Sequence, residues 1–463
     1  MLDQHTSDNW NPVFWKEMHL MCQNRMLIVM PLIVACLEIL CVIGIIYIRV
    51  PGADDDLFLG SFSEESLCIM FYIVQGLLSL AWVASQVFLT TSQERNVEGL
   101  DPQLGTRLTP FGVLAGKFSA MMVCVTTCQV LALPFFFVAG RLEGRHWLAF
   151  LALFALLSAA SAWLVMLGCL PKQSATKSMG VSQGVGALAL IPMAGSYLFV
   201  LSVLCERIRN TANDPSWRAC LVVILCAVSV SVFDFCLALS LLRNTRQERS
   251  WSWRLAVLAI WAMVPWTCAL IFRAEGNTVM ATQAHAGFIM AAAVAIFSLF
   301  ERLEPCRRTL QCEDATGLPW KVLTLPFRSG LGPGLVLAWL LYLVSCAIAT
   351  RLPTIDNAWM YLYAWQASSA YMLLYVPLIA IVAEHFHFPR EKAGGVVVAV
   401  VFFLPVFAGI TGLDQLACLS PFYPMMLDEE YYSATAIVVA LLAVVPSTIA
   451  VFKYCSKYFS IKK

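Results

Sequence analysis

The sequence predicts an all-α fold, a polytopic bundle of membrane-spanning helices, on three observations. Hydrophobic residues make up 60% of the chain and charged residues 13%, with a mean hydropathy of +0.76. Soluble domains are about 45–50% apolar and about 25% charged. The apolar residues fall in runs of roughly 20 or more, the length at which a helix crosses about 30 Å of hydrocarbon. These runs lack the two-residue alternation of an outer-membrane barrel strand, so the spanning elements are helices.

Taken in order, the runs place spans near 26–48, 67–89, 118–139, 146–170, 179–204, 217–242, 253–272, 277–300, 330–350, 358–383, 393–413 and 433–454. That is twelve spans. Some neighbours are separated only by short connections such as "GRLEG" and "RAEGN", which join them as hairpins or as bent elements. Prolines 31, 134, 192, 265, 377, 405 and 446 lie inside the runs and are expected to kink their helices, leaving carbonyls for neighbouring helices to satisfy.

Orientation follows from Lys and Arg near the span ends. With a cytoplasmic N-terminus, 22 of the 30 basic residues fall on the cytoplasmic side. The acidic clusters Asp54-Asp55-Asp56 and Asp428-Glu429-Glu430 fall outside. The expected location is a cytoplasmic (inner) membrane with both termini in the cytoplasm. The first apolar run is of full span length and follows a long polar segment, so no cleavable signal peptide is expected. The 17 cysteines lie mostly in the runs, where Cys acts as a small apolar residue. No CxxC or Cys/His spacing marks a metal site, and no cofactor is expected. A net charge of +1 gives no nucleic-acid signal.

The twelve spans divide into two six-span halves, 1–245 and 246–463, around the arginine-rich "RNTRQERSWSWR". Ahead of the first span, Asn11 is placed as an N-cap and Pro12 at the first helical position, which predicts a helix over 11–25. Trp10, Phe14, Met18, Met21 and Cys22 recur at spacings of three and four, away from Lys16, His19 and Gln23. This is the pattern of an amphipathic helix lying in the membrane interface, or else of the first turns of the span itself. A long cytoplasmic loop follows the second span of each half, at 90–117 and 301–329. The two loops open on Glu94-Arg95 and Glu301-Arg302 and return through a proline-containing stretch with a cation.

Several chemical readings can be set aside. Gly116-Lys117 is followed by Phe118, and Gly112 lies one position too close for a phosphate-binding loop. His385 and His387 read as a solvated loop pair. His285 reads as a packing residue. Two carboxylates inside spans, Glu38 and Asp234, are costly in hydrocarbon and are therefore candidates for a transport pathway. Their structural alternative is pairing, which for Asp234 would be with Gln75, Gln129 or Gln183.

The stretch "SQERNVEGLDPQLGTRLTPFGVLAGK", together with "NPVFWKE", resembles the membrane subunits of type-2 ABC-transporter permeases. Asn11, Pro12, Lys16 and Glu17 fit that family's interface-helix opening. Glu94, Arg95, Gly99, Leu100, Asp101, Leu104, Thr106, Leu108, Thr109, Pro110, Gly116 and Lys117 fit its first cytoplasmic loop. The chain departs from the pattern in the residue after Gly99, in the longer spacer "NVE", in Pro102, and in Arg107 where the family tends to have proline. The resemblance covers the first 120 residues; beyond them it is only a hydropathy profile.

In that family the loop forms a coupling helix docked on a separate cytoplasmic ATP-binding subunit, and the resemblance implies the same partner here. Glu94, Arg95, Glu98, Asp101 and Arg107 would then set orientation by charge, and Leu100, Leu104 and Leu108 would form one apolar stripe. The expected function is that of an exporter's permease subunit in the lipid bilayer, not itself an enzyme, paired or unpaired with a second permease chain and acting on a substrate the sequence does not name. Its rivals are an ion-coupled secondary transporter using Glu38 and Asp234, a function that twelve spans in two halves also suit, and an intramembrane transferase, for which no residue constellation is present.

Overall fold

The computed structural model describes residues 11–23, 109–139, 216–242, 250–272, 276–299, 301, 323–328, 330–352, 358–386 and 429–459, with isolated helical positions within 29–43 and 155–159. The described elements are α1 (Pro12–Gln23), α2 (Pro110–Ala139), α3 (Ser216–Leu242), α4 (Trp251–Phe272), α5 (Gly276–Leu299), a 3-10 turn (Leu325–Phe327), α6 (Leu331–Ala349), α7 (Ala358–His385) and α8 (Glu429–Phe459). No strand occurs among the described residues. Seven helices there are long and apolar enough to cross a membrane, one in each of α2 to α8. They correspond to the expected spans that begin at 118, 217, 253, 277, 330, 358 and 433. The expected spans 26–48, 67–89, 146–170, 179–204 and 393–413 lie outside the described residues, apart from the isolated positions.

Local chemistry sets the first two helix starts. The Val13 amide donates to Asn11 Oδ1 at 3.0 Å, so Asn11 caps α1 with Pro12 in the first turn. The Gly112 amide donates to Thr109 Oγ1 at 3.1 Å, and Pro110 follows the cap. α2 therefore starts at Pro110, ahead of the expected Phe118, and "PFGVLAGK" is helix where a loop was expected. A threonine cap followed by proline is a complete helix start, and it overrides the polar look of the stretch.

The chain divides into two compact units, Met1–Leu170 with Lys177–Leu242, and Pro171–Thr176 with Arg243–Lys463. In the first, α1 and α3 both pack on α2. Phe235 of α3 meets Phe111 and Phe118 of α2 edge-on, with ring centroids 5.5 and 6.4 Å apart.

In the second unit α5 packs against α4, α6 and α7, and α7 packs against α8. Small residues permit the approach, as is usual between membrane helices. A Cβ at Gly287 of α5 would overlap Ser345 of α6, and one at Gly334 of α6 would overlap Ser298 of α5. Ser369 of α7 donates to the Phe288 carbonyl of α5 at 2.6 Å. Pro377 cannot donate to the Leu373 carbonyl one turn back, and Ser447 of α8 donates to that carbonyl at 2.9 Å. A neighbouring helix thus satisfies the oxygen that this proline frees.

One end of the second unit gathers the start of α4, the end of α5, the start of α6 and the ends of α7 and α8. Tyr454 donates to Glu384 at 2.6 Å, and Lys453 lies 3.2 Å from the same carboxylate. A Cβ at Gly332 would stand 2.8 Å from Cys455 Sγ.

Candidate functional site

In the first unit the two sequence stretches that suggested a docking machine are joined to each other. Lys117, in the first turns of α2, extends its Nζ to Glu17 Oε1 of α1 at 2.7 Å, and both side chains are buried. Asn11 Nδ2 donates to the Gly112 carbonyl, so the residue that caps α1 also ties it to α2. Gly116 is where the helices touch. A Cβ there would stand 2.8 Å from Val13 Cβ and 2.9 Å from the Phe14 amide nitrogen, so any side chain would push α1 away. Further along, Cys124 of α2 meets Met21 of α1, sulfur to sulfur, at 3.5 Å.

These contacts advance together along both helices, 11 with 112, 13 and 14 with 116, 17 with 117, and 21 with 124. α1 therefore runs beside α2 in the same direction over about three turns, at 3.6 residues per turn. Its buried face is Val13, Glu17 and Met21, while Trp15, Lys16, His19 and Cys22 are exposed and Phe14 and Met18 are half-buried. This differs from the stripe expected of a helix lying in the interface. The reason is Glu17. Its charge excluded position 17 from any apolar stripe, but Lys117 neutralises it and the pair packs inside.

In the second unit the centre of the polar cluster is Glu301, which follows α5. Its Oε1 accepts from Ser250 Oγ and from Trp253 Nε1, the latter at 2.9 Å. Its Oε2 accepts from Arg254 Nη2 at 2.5 Å and from the Gly330 amide at 2.7 Å. Arg254, in the first turn of α4, is fully buried. Its Nη1 donates to the carbonyl of Pro326 at 2.8 Å and to that of Arg328, and its Nη2 donates to the Gly330 carbonyl at 3.1 Å. Gly330 has φ 116°, a conformation that side-chain-bearing residues rarely adopt. Glycine is needed there for the backbone to bring both its amide and its carbonyl to the ion pair.

Of the expected site residues, Asn11, Glu17, Gly116 and Lys117 come together at the α1–α2 contact, Pro12 and Pro110 open the two helices, and Lys16 is exposed. Glu94, Arg95, Gly99, Leu100, Asp101, Leu104, Arg107 and Glu38 lie outside the described residues, as does Arg302. Gly116 and Lys117 are occupied within the chain. Glu301, expected to parallel Glu94 on a loop surface, is buried and bonded.

Asp234 is fully buried on α3, and among the described residues neither carboxyl oxygen has a hydrogen-bond partner. Gln129, the described one of its three expected partners, is buried but does not bond to it. His285 Nδ1 lies 2.8 Å from the Ala281 carbonyl one turn back, an arrangement of packing. Among the described residues no group of His, Cys, Asp and Glu could hold a metal ion.

Sequence reasoning missed Arg254, which it counted only as one cation among four near the half boundary. The signal was present. An arginine inside the first turn of an apolar run is expensive unless it is paired, and Glu301 stands at the same face after one hairpin. No family model matches this chain, and comparison with curated proteins and with solved structures likewise found no match.

Proposed function

We propose that this chain is the membrane-spanning permease subunit of an ABC exporter, which couples ATP hydrolysis by a separate cytoplasmic ATPase to movement of its spans. The observation that carries this reading is the Glu17–Lys117 contact, closed over Gly116. The loop proposed to receive the ATPase ends at Thr109, and the helix that starts there is bolted to the N-terminal helix within its first turns. A push on the loop would therefore act on α1 and α2 as one body. The proposed span count draws support from the second unit. The ends of α7 and α8 are joined through Tyr454 and Glu384, as expected of two spans with the proposed span at 393–413 between them.

The test is co-purification of the ATPase with loop variants. Reversing Glu94 and Asp101 together, or Leu104→Asp, is expected to lower ATPase retention without lowering the amount of inserted chain, since insertion depends on the apolar spans. Full retention by every such variant would remove the docking assignment.

A second reading has its own support in Asp234. A buried carboxyl inside a span, without a hydrogen-bond partner among the described residues, suits an ion-coupled secondary transporter. That reading requires no ATPase, so a chain that retains none, and whose Asp234→Asn variant loses proton uptake into proteoliposomes, would favour it.

A further inference from the structure

Residues on either side of the connection 302–329 are held by one ion pair. Glu301 precedes the connection; Gly330 follows it, and Pro326 and Arg328 lie on its returning side. Glu301 bonds to the Gly330 amide, and Arg254 bonds to Glu301 and to the carbonyls of Pro326, Arg328 and Gly330. Arg254 belongs to α4, so three helices meet at a single guanidinium. The fit leaves no slack, because a Cβ at Gly334 would stand 3.0 Å from Arg254 Nη2.

Stability alone does not account for this arrangement. A buried ion pair can often be exchanged for apolar residues of similar volume with little or no loss of stability. What apolar residues cannot supply is directed hydrogen bonds to chosen backbone carbonyls on the returning segment. A planar guanidinium supplies them in a fixed fork, and lysine cannot reproduce it.

We propose that Arg254 and Glu301 are positioning residues of the transport cycle, a clasp that fixes the neck of the 302–329 connection to α4, α5 and α6 so that force arriving at this connection moves the three helices together. The clasp rests on the exporter reading, and it places a second point of force transfer in the second unit. In the first unit a cation in the first turns of α2 is held by an acid on α1. In the second an acid before the loop is held by a cation on the preceding hairpin. Each arrangement puts a buried pair beside the first turns of the helix that follows the loop.

The experiment uses the full chain purified with its ATPase in lipid nanodiscs. N-ethylmaleimide labelling of Cys268 on α4 and Cys346 on α6, both half-buried, is read by mass spectrometry with and without ATP and vanadate. In the wild type, nucleotide is expected to change both labelling rates. In Arg254→Met with Glu301→Leu, the ATPase is expected to stay bound and active while the nucleotide-induced change falls roughly fivefold or more, the lower end of coupling between linked sites. Arg254→Lys, which keeps the charge and endangers folding less, is expected to lose part of the response.

A paired variant that binds ATPase and responds like the wild type would overturn the clasp, as would one that loses the ATPase altogether or a wild type whose labelling ignores nucleotide. For Arg254→Lys, a full wild-type response would count against the clasp in the same way. A wild type that retains no ATPase would instead refute the exporter reading, and the clasp with it. Amount of folded protein does not enter the ratio, so a merely structural role would leave it unchanged.

Discussion

Glu17 and Lys117 are each costly to bury alone and acceptable as a pair, which makes their contact sensitive to single changes. Lys117→Met strands the Glu17 carboxylate and is expected to lower stability by about 3–5 kcal/mol, whereas Glu17→Leu with Lys117→Met should recover most of that loss. Thermal unfolding of the detergent-purified protein measures both, and a paired variant no more stable than the single one would contradict the account. Gly116→Ala adds a methyl where Val13 and Phe14 already stand, with an expected cost of about 1–3 kcal/mol. The cap at Asn11 was legible because its partner lies two residues away; the equally local cap at Thr109 was overlooked because the polar look of the preceding stretch suggested a loop as far as Lys117. The Glu17–Lys117 pair was not legible, because its members are 100 residues apart and nothing local says which cation meets which acid. Sequence singled out Asp234 as a carboxylate inside a span, but could not tell that, among the described residues, Gln129 does not bond to it.

Helix identity was readable from apolar run length, and helix partnership was not. The seven apolar helices fall on expected runs, but the direction of α1 depends on which of its faces is buried, and Glu17 disguised that face. With Cys22→Ser to remove the neighbouring thiol, Met21→Cys should be bridged to Cys124 by a short bifunctional alkylating reagent that reacts with both thiols, joining the N-terminal fragment to α2 after proteolysis between them. A helix lying flat in the interface would give no such product.

The proline prediction offers a second test. Ser447→Ala leaves the Leu373 carbonyl without its donor and should cost about 1–3 kcal/mol. Pro377→Ala supplies an amide one turn away, so Pro377→Ala with Ser447→Ala should be less destabilised than the sum of the single changes. Additive losses in thermal unfolding would show that the serine does not serve that carbonyl.

At the scale of the molecule, composition and run length gave a multi-pass helical protein, and the seven apolar helices agree with it. The asymmetry of 22 basic residues against 8 predicts the side on which the loop 90–117, proposed to dock an ATPase, stands. A thiol introduced at Ser92 should be labelled by an impermeant reagent only after the membrane is opened. What sequence could not convey is which charges inside each unit meet, since that depends on contacts between distant turns. The central claim is that this loop meets an ATPase, and photo-crosslinking in living cells tests it most directly, with a photoreactive amino acid in place of Leu104. The account predicts a crosslinked product containing a cytoplasmic ATP-binding protein, lost when Glu94 and Asp101 are reversed. Crosslinks to lipid or to this chain alone would contradict it.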